Sequence, residues 1–311
     1  MPRITLNASY QSCENPLMRH AASVLLAALL GGCSNGTDTA VPAPPPATAP
    51  GPADIPQSEG RAVAGESDMR VLEPFTGDLD AMIDRGVVRV LVAPGRTHFN
   101  VEGNVQRGRT VDAAVAFERF VNQRISPRTI AVLLISTSET ALVSDVIAGQ
   151  GDIAANVLRT FERDEQVAFA KPVRAGVREV VVTGPGVSPL VSLEDAGGRA
   201  VHVRRNSDHH ASLVRLNDQL KKIERPQVKI VFTLGSQTDE DLLDLVNTGR
   251  IPATVVDDYI YDARRPQLQN TAVNRDVAVS QDGELAWVTR KDAPRLLALL
   301  NEFFATHRLA F

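Results

Sequence analysis

Short apolar runs alternate with longer stretches whose apolar residues recur every three or four positions, from about residue 77 to the last residues of the chain. The runs at 87–92, 130–135, 177–182, 200–203, 228–232, 253–256 and 285–289 have strand length and are almost uniformly apolar, as strands covered on both faces are. Between them, 77–85, 110–125, 138–148, 208–222, 238–247 and 292–306 carry helical spacing; Val111, Ala114, Val115, Phe117, Phe120 and Val121 mark one buried face. The helix ends agree with this reading. Gly86, Gly149 and Gly249 stand just past helices, Ser138 and Asp292 read as N-caps, Pro294 falls in a first turn, and Thr238 with Asp241 forms a capping box. Strands alternating with helices imply mostly parallel sheets with helices on their faces, an α/β fold.

The pattern runs once up to Gly184-Pro185-Gly186 and then starts again, so that breaker suits a hinge or lobe boundary. Two segments mirror each other across it. Gly149-Gln150-Gly151-Asp152-Ile153-Ala154-Ala155-Asn156 and Gly249-Arg250-Ile251-Pro252-Ala253-Thr254-Val255-Val256-Asp257 each read as a helix stopped by glycine, then a buried strand ending in polar groups. In open α/β sheets ligands bind at that end of the strands. Two such ends predict two lobes facing each other across a cleft.

The first 33 residues have a different character. Met18-Arg19-His20 is a short basic start, 21–30 is an apolar run of signal-peptide length, and Leu30-Gly31-Gly32-Cys33 places small residues directly before a cysteine. A run this short does not cross a bilayer, which takes about 20 apolar residues. The pattern resembles a bacterial lipobox, with Cys33 lipidated after cleavage; an ordinary secretory signal containing a cysteine is the alternative. Residues 1–17 fit neither, which leaves Met1 or Met18 as the true start. Residues 34–67 are rich in Pro, Ala, Gly and Thr and are expected to form a flexible tether. The net charge of -4 and pI of about 5.9, with both signs mixed, give no nucleic-acid footprint. With only Cys13 and Cys33 present, processing at Cys33 would leave no disulfide or thiolate metal site. Ser34, where an aspartate would signal inner-membrane retention, favours a periplasmic protein held at the outer membrane through its lipid alone.

The blocks Gly77-Asp78-Leu79-Asp80-Ala81-Met82, Arg89-Val90-Leu91-Val92, Thr97-His98-Phe99, Gly151-Asp152-Ile153-Ala154-Ala155-Asn156, Val201-His202-Val203-Arg204 and Ala286-Trp287-Val288-Thr289-Arg290-Lys291, in this order, resemble the family-3 periplasmic solute-binding proteins. They are still more similar to the solute-binding-like N-terminal module of membrane-bound lytic transglycosylase F. The resemblance implies a two-lobed, type II periplasmic-binding-protein-like fold over 68–311, with a hinge and an inter-lobe cleft. One lobe would comprise about 68–182 and 281–311, the other about 183–280. It implies a small polar ligand (an amino acid, short peptide or cell-wall fragment), no cofactor, and an ABC permease or a cell-wall enzyme as partner. The family's catalytic Glu-Ser motif followed by a Gly-Leu-Met-Gln-type sequence does not occur here (Glu66-Ser67 lacks that context), so the expectation is a binding or sensing protein without transglycosylase activity; a regulatory remnant acting in peptidoglycan turnover is the alternative.

Carried over by motif, Arg163 takes the position that grips a ligand carboxylate and Asp257 the acid that meets an ammonium group. A guanidinium fork holds a carboxylate through two parallel bonds, each worth roughly 1.5–3 kcal/mol. Arg163 could instead pair with Glu162 or Asp164, Asp257 could cap the next helix, and Asp258 competes for either role. Asn156 and Thr160 are candidates to line the cleft, and His98 and Phe99 to form its aromatic wall. Arg204 and Ser207 precede a helix whose free amides favour anions, or else form a solvated turn. Val157-Leu158-Arg159 stands where amino-acid binders carry small hydroxyl residues, which removes donors a carboxylate would use. His209 and His210 are adjacent and diverge by about 100° on a helix, so no metal site is expected.

Overall fold

The computed structural model describes residues 51–62 and 69–309; Cys33, the signal-peptide region and the first part of the expected tether lie outside these. The chain order is β1 (Ala53–Asp54), β2 (Arg61–Ala62), α1 (Leu79–Arg85), β3 (Val87–Val92), β4 (Asn100–Glu102), β5 (Val105–Arg107), α2 (Arg109–Ile125), β6 (Ala131–Ser136), α3 (Leu142–Ile147), β7 (Ile153–Leu158), α4 (Phe161–Asp164) and β8 (Val167–Thr183). It continues with β9 (Ala200–Arg204), α5 (Asp208–Lys222), β10 (Lys229–Thr233), α6 (Asp239–Asn247), β11 (Ala253–Asp257), α7 (Asp258–Arg264), β12 (Ala272–Arg290), α8 (Pro294–Thr306) and β13 (His307–Arg308).

Eight strands join in the order β10-β9-β11-β8-β12-β7-β3-β6. At one side β6, β3 and β7 are parallel, and at the other so are β10, β9 and β11. Each parallel set holds three strands. Between them run β8 and β12, long strands antiparallel to each other and to the neighbours they meet. Sequence patterning found only 177–182 and 285–289 of these two strands. The rest escapes because Lys171, Pro172, Arg174 and Gly176, and on the partner Asn274, Arg275 and Asp276, interrupt the apolar run where the strands pass from one half to the other.

The core follows the predicted faces. Trp287 is fully buried, edge-on to Phe117 and Phe304, and Phe117 and Phe120 of α2 meet Phe303 of α8. A second cluster joins α5 (Leu213, Leu216, Leu220) to Val201, Val203 and Val255 of the other half. Gly86 closes α1 in the left-handed region at φ 76°, where a side chain would be strained. Asp78, not Asp292, is the capping carboxylate: it accepts from Leu79 N at the start of α1 and from Arg295 N and Leu296 N at the start of α8. Asp292 instead faces Arg290. Ser138 precedes a single 3-10 turn, Glu139–Ala141, and makes no capping bond.

Part of the expected tether lies against the body. β1 pairs with β13, Ile55 is buried in the main core, Ser58 N donates to Asp112 Oδ1 at 3.0 Å, and β2 pairs with β5. A composition dominated by Pro, Ala and Gly hid this, since one isoleucine and a few hydrogen-bonding groups anchor the segment.

The Gly149–Asn156 segment serves two ends. Asp152 precedes β7, at the end of the strand away from its polar C-terminus, and is fully buried. Its Oδ1 pairs with Arg89 Nη2 at 3.0 Å, and its Oδ2 takes Arg89 N at 2.8 Å and Arg85 Nη2 at 2.6 Å. Arg89, also fully buried, spends its other donors on the carbonyls of Glu73 and Gly149, both at 2.8 Å. Gly151 has no room for a side chain, because a Cβ there would lie 2.3 Å from Leu91 Cγ.

Candidate ligand site

The C-terminal ends of all six parallel strands open on one cavity of about 430 Å³. β3 leads to Gly95 and His98, β6 to Glu139, and β7 to Asn156 and Arg163; from the other half, β9 leads to Arg204 and Asp208, β10 to Asp239, and β11 to Asp257 and Tyr259. Side chains diverge into such a space because a strand hands over to a loop or helix there.

Of the residues expected from sequence, Arg163, Asp257, Asn156, His98 and Arg204 line the cavity. Arg163 pairs with neither Glu162 nor Asp164. Its Nη2 and Nη1 hold Asp208 Oδ1 and Oδ2 at 2.8 and 3.0 Å, and Nη1 also donates to Leu158 O at 2.8 Å. Asp257 stands at the N-cap position of α7 without a capping bond, and its Oδ1 lies 3.3 Å from His209 Nε2. Asp258 turns away to Arg178.

Thr160, Phe99 and Ser207 do not line this cavity. Thr160 caps α4 by accepting from Arg163 N, Phe99 is 4% exposed within the core, and Ser207 caps α5 by accepting from His210 N while donating to Arg204 O. The turn after β9 is only partly solvated: Arg204 is mostly buried between Glu139 and Asp239, whereas Arg205 lies over the Phe232 ring at 3.8 Å.

A chain of polar contacts crosses the cavity floor. Asn156, at a left-handed φ of 56°, donates from Nδ2 to Thr110 Oγ1 at 2.7 Å and lies 3.2 Å from His98 Nδ1. His98 Nε2 is 2.8 Å from the Tyr259 hydroxyl. Desolvation pushes the His98 pKa down to about 4, with Arg174 acting in the same sense, so the ring is neutral.

His209 has the opposite character. Burial alone would depress it, but Asp239, Glu179 and Asp257 outweigh that and raise its pKa well above the usual value. Glu179, His209 and Asp257 bring ligand-capable atoms within 4.8 Å of one another. The acids around His209 thus favour its protonated, cationic form. Burial raises the pKa of Glu179 and, against the pull of Arg204, that of Glu139.

Sequence reasoning missed Glu139, Asp208, Asp239 and Glu240 as lining residues. Asp208, Asp239 and Glu240 open helices, where acids are common for dipole reasons, and that ordinary explanation concealed their place in the cavity.

Two parallel sets joined by paired long strands, with one cavity between their C-terminal ends, define the two-lobed α/β architecture of periplasmic solute-binding proteins. Solved structures share it. The chain superposes on an amino-acid ABC-transporter substrate-binding protein of Streptococcus pneumoniae bound to L-arginine with a TM-score of 0.58 at 16% identity, covering 72% of this chain and 90% of that one. It superposes on a protein of glutathione and cystine import in Streptococcus mutans with a TM-score of 0.59 at 20% identity, covering 70% and 87%. In sequence it is 30% identical over 154 residues to membrane-bound lytic murein transglycosylase F of Saccharophagus degradans. That match takes in 49% of this chain and 28% of the relative's length. No family model matches the chain.

Proposed function

We propose that this protein is a solute-binding or sensing module that closes its two halves, about 68–182 with 281–311 and about 183–280, on a small polar ligand. The observation that carries this is the convergence of six parallel strand ends, three from each half, on one cavity of about 430 Å³. That volume suits a molecule of amino-acid to dipeptide size. Arg163, Asp257, Asn156, His98 and Arg204 are the predicted residues that line it. The protein works at the periplasmic face, held by a lipid on Cys33 and serving an ABC permease or a cell-wall enzyme. Among the described residues no helix is long and apolar enough to cross a membrane. Thermal-shift screening of the full chain against amino acids, amines, short peptides and muropeptides tests the reading, with a saturable rise in Tm expected for at least one class. A flat response throughout would refute it.

The similarity to a lytic transglycosylase favours a second reading, a regulatory module of peptidoglycan turnover. In that case muropeptides give the largest shift and zymography on peptidoglycan gives no clearing. A clearing band from the purified chain would make it an enzyme.

A further inference from the structure

Among the described residues, every cation in the cavity wall is already held by a carboxylate of the chain. Arg163 grips Asp208 with both fork nitrogens, Arg204 lies between Glu139 and Asp239, and His209 faces Asp239 at 3.7 Å and Asp257 at 3.3 Å. A ligand carboxylate would have to evict one of these acids. It would gain one charge-assisted bond where another is lost, and the evicted group would remain among like charges.

Asp208 is the acid such a ligand would compete with. It is the first residue of α5, so its carboxylate is stabilised by the positive end of a fifteen-residue helix as well as by the Arg163 fork. These are the two features that attract a bound anion, and an internal carboxylate occupies both.

Negative charge and acceptors, by contrast, are in surplus. Glu139, Asp208, Asp239, Glu240 and Asp257 line the cavity against Arg163, Arg204 and His209. Among the described residues, Asn156 Oδ1, on the cavity lining, is buried without a partner. The unmet demand in this wall is for donors and positive charge.

We propose, on the basis of the solute-binding reading above, that Asp208 stands in permanently for a ligand carboxylate and that the cavity takes organic amines lacking a carboxylate, in preference to amino acids. Hydrogen-bonding acceptors and acids from both halves then surround the ammonium or guanidinium group, while Arg163 contributes to closure instead of ligand capture.

Matched probes isolate the carboxylate: agmatine against L-arginine and cadaverine against L-lysine, each pair differing by that group alone. Calorimetry on the full chain at pH 7 is expected to show at least one amine binding at least tenfold more tightly than its amino acid. In Asp208→Ala the order reverses, the amino acid gaining at least tenfold as Arg163 is released. Asp208 is partly exposed, so the substitution leaves the core intact; Asp208→Asn, which removes the charge and keeps the shape, moves the ratio the same way by a smaller factor. An amino acid binding the unaltered chain as tightly as its amine, or an unchanged ratio in Asp208→Ala, overturns the proposal. So does silence of all four probes. If muropeptides or peptides still raise Tm, the solute-binding reading survives that result; if nothing in the wider screen does, both fall.

Discussion

Removing the carboxylate of Asp152 tests how the first half is held together. Asp152 and Arg89 are both fully buried, and the carboxylate takes four donor contacts: Arg89 N, Nε and Nη2, and Arg85 Nη2. In Asp152→Ala the Arg89 guanidinium keeps its carbonyl partners at Glu73 and Gly149 but loses its counter-charge, and the backbone amide of Arg89 loses its acceptor. Breaking one side of a buried pair typically costs about 3–5 kcal/mol, because the remaining charge is stranded in low dielectric. For a body of this size each kcal/mol lowers Tm by roughly 2–4 °C, which predicts a fall of roughly 6–20 °C. Urea titration followed by circular dichroism gives the free energy, and calorimetry gives Tm. The double variant Arg89→Met with Asp152→Leu discriminates further: with the fully buried pair gone it should recover part of the loss, although Arg85 and the Arg89 backbone amide still lack their acceptor. A cost below about 1 kcal/mol for Asp152→Ala, or a double variant worse than the single, would refute the claim that a stranded charge is the cause.

Trp287→Ala empties the centre of the aromatic cluster and should cost about 3–5 kcal/mol in the same urea titration, while Trp287→Phe costs less. Gly151→Ala drives a Cβ into Leu91 and is expected to lower Tm, and the combination with Leu91→Ala should restore part of the loss. His98 titrates lower in the folded state, at about 4, than the usual 6.5, so the unfolded chain binds more protons between those values. Its contribution is complete above about pH 6.5 and declines as pH falls toward 4; His98→Gln should flatten that limb of the stability profile. His209 has the opposite sign: its contribution is complete below about pH 6.5 and is lost only as pH rises through its elevated folded pKa, so NMR should find its ring protonated at pH 7.

Much of the fold is legible in the chain because local signals and tertiary packing agree there. The 87–92 run is β3, the 208–222 pattern is α5 from end to end, and Thr238 with Asp241 makes the expected capping box before α6. Reading failed where partners come from far away. Asp78 caps α8 across more than two hundred residues, and nothing near Pro294 announces it. The long strands β8 and β12 change surroundings midway, so no single periodicity describes them. The site shows the same division. Motif position brought Arg163, Asp257, Asn156, His98 and Arg204 to one cavity wall, but a motif is silent on what each side chain touches. Asp208 decides the state of Arg163, and its position at the start of a helix gave it an adequate local explanation.

The passage of β8 and β12 through both halves bears on how the molecule can flex. Their mutual register slips repeatedly between Val273 and Val288, so the ladder there is interrupted while the strands remain joined on either side. Compliance is thus placed in a two-ply ribbon instead of in a loose loop, and curling either ply drags the other with it. A motion of one half against the other would therefore bend both plies together, as the layers of a leaf spring bend.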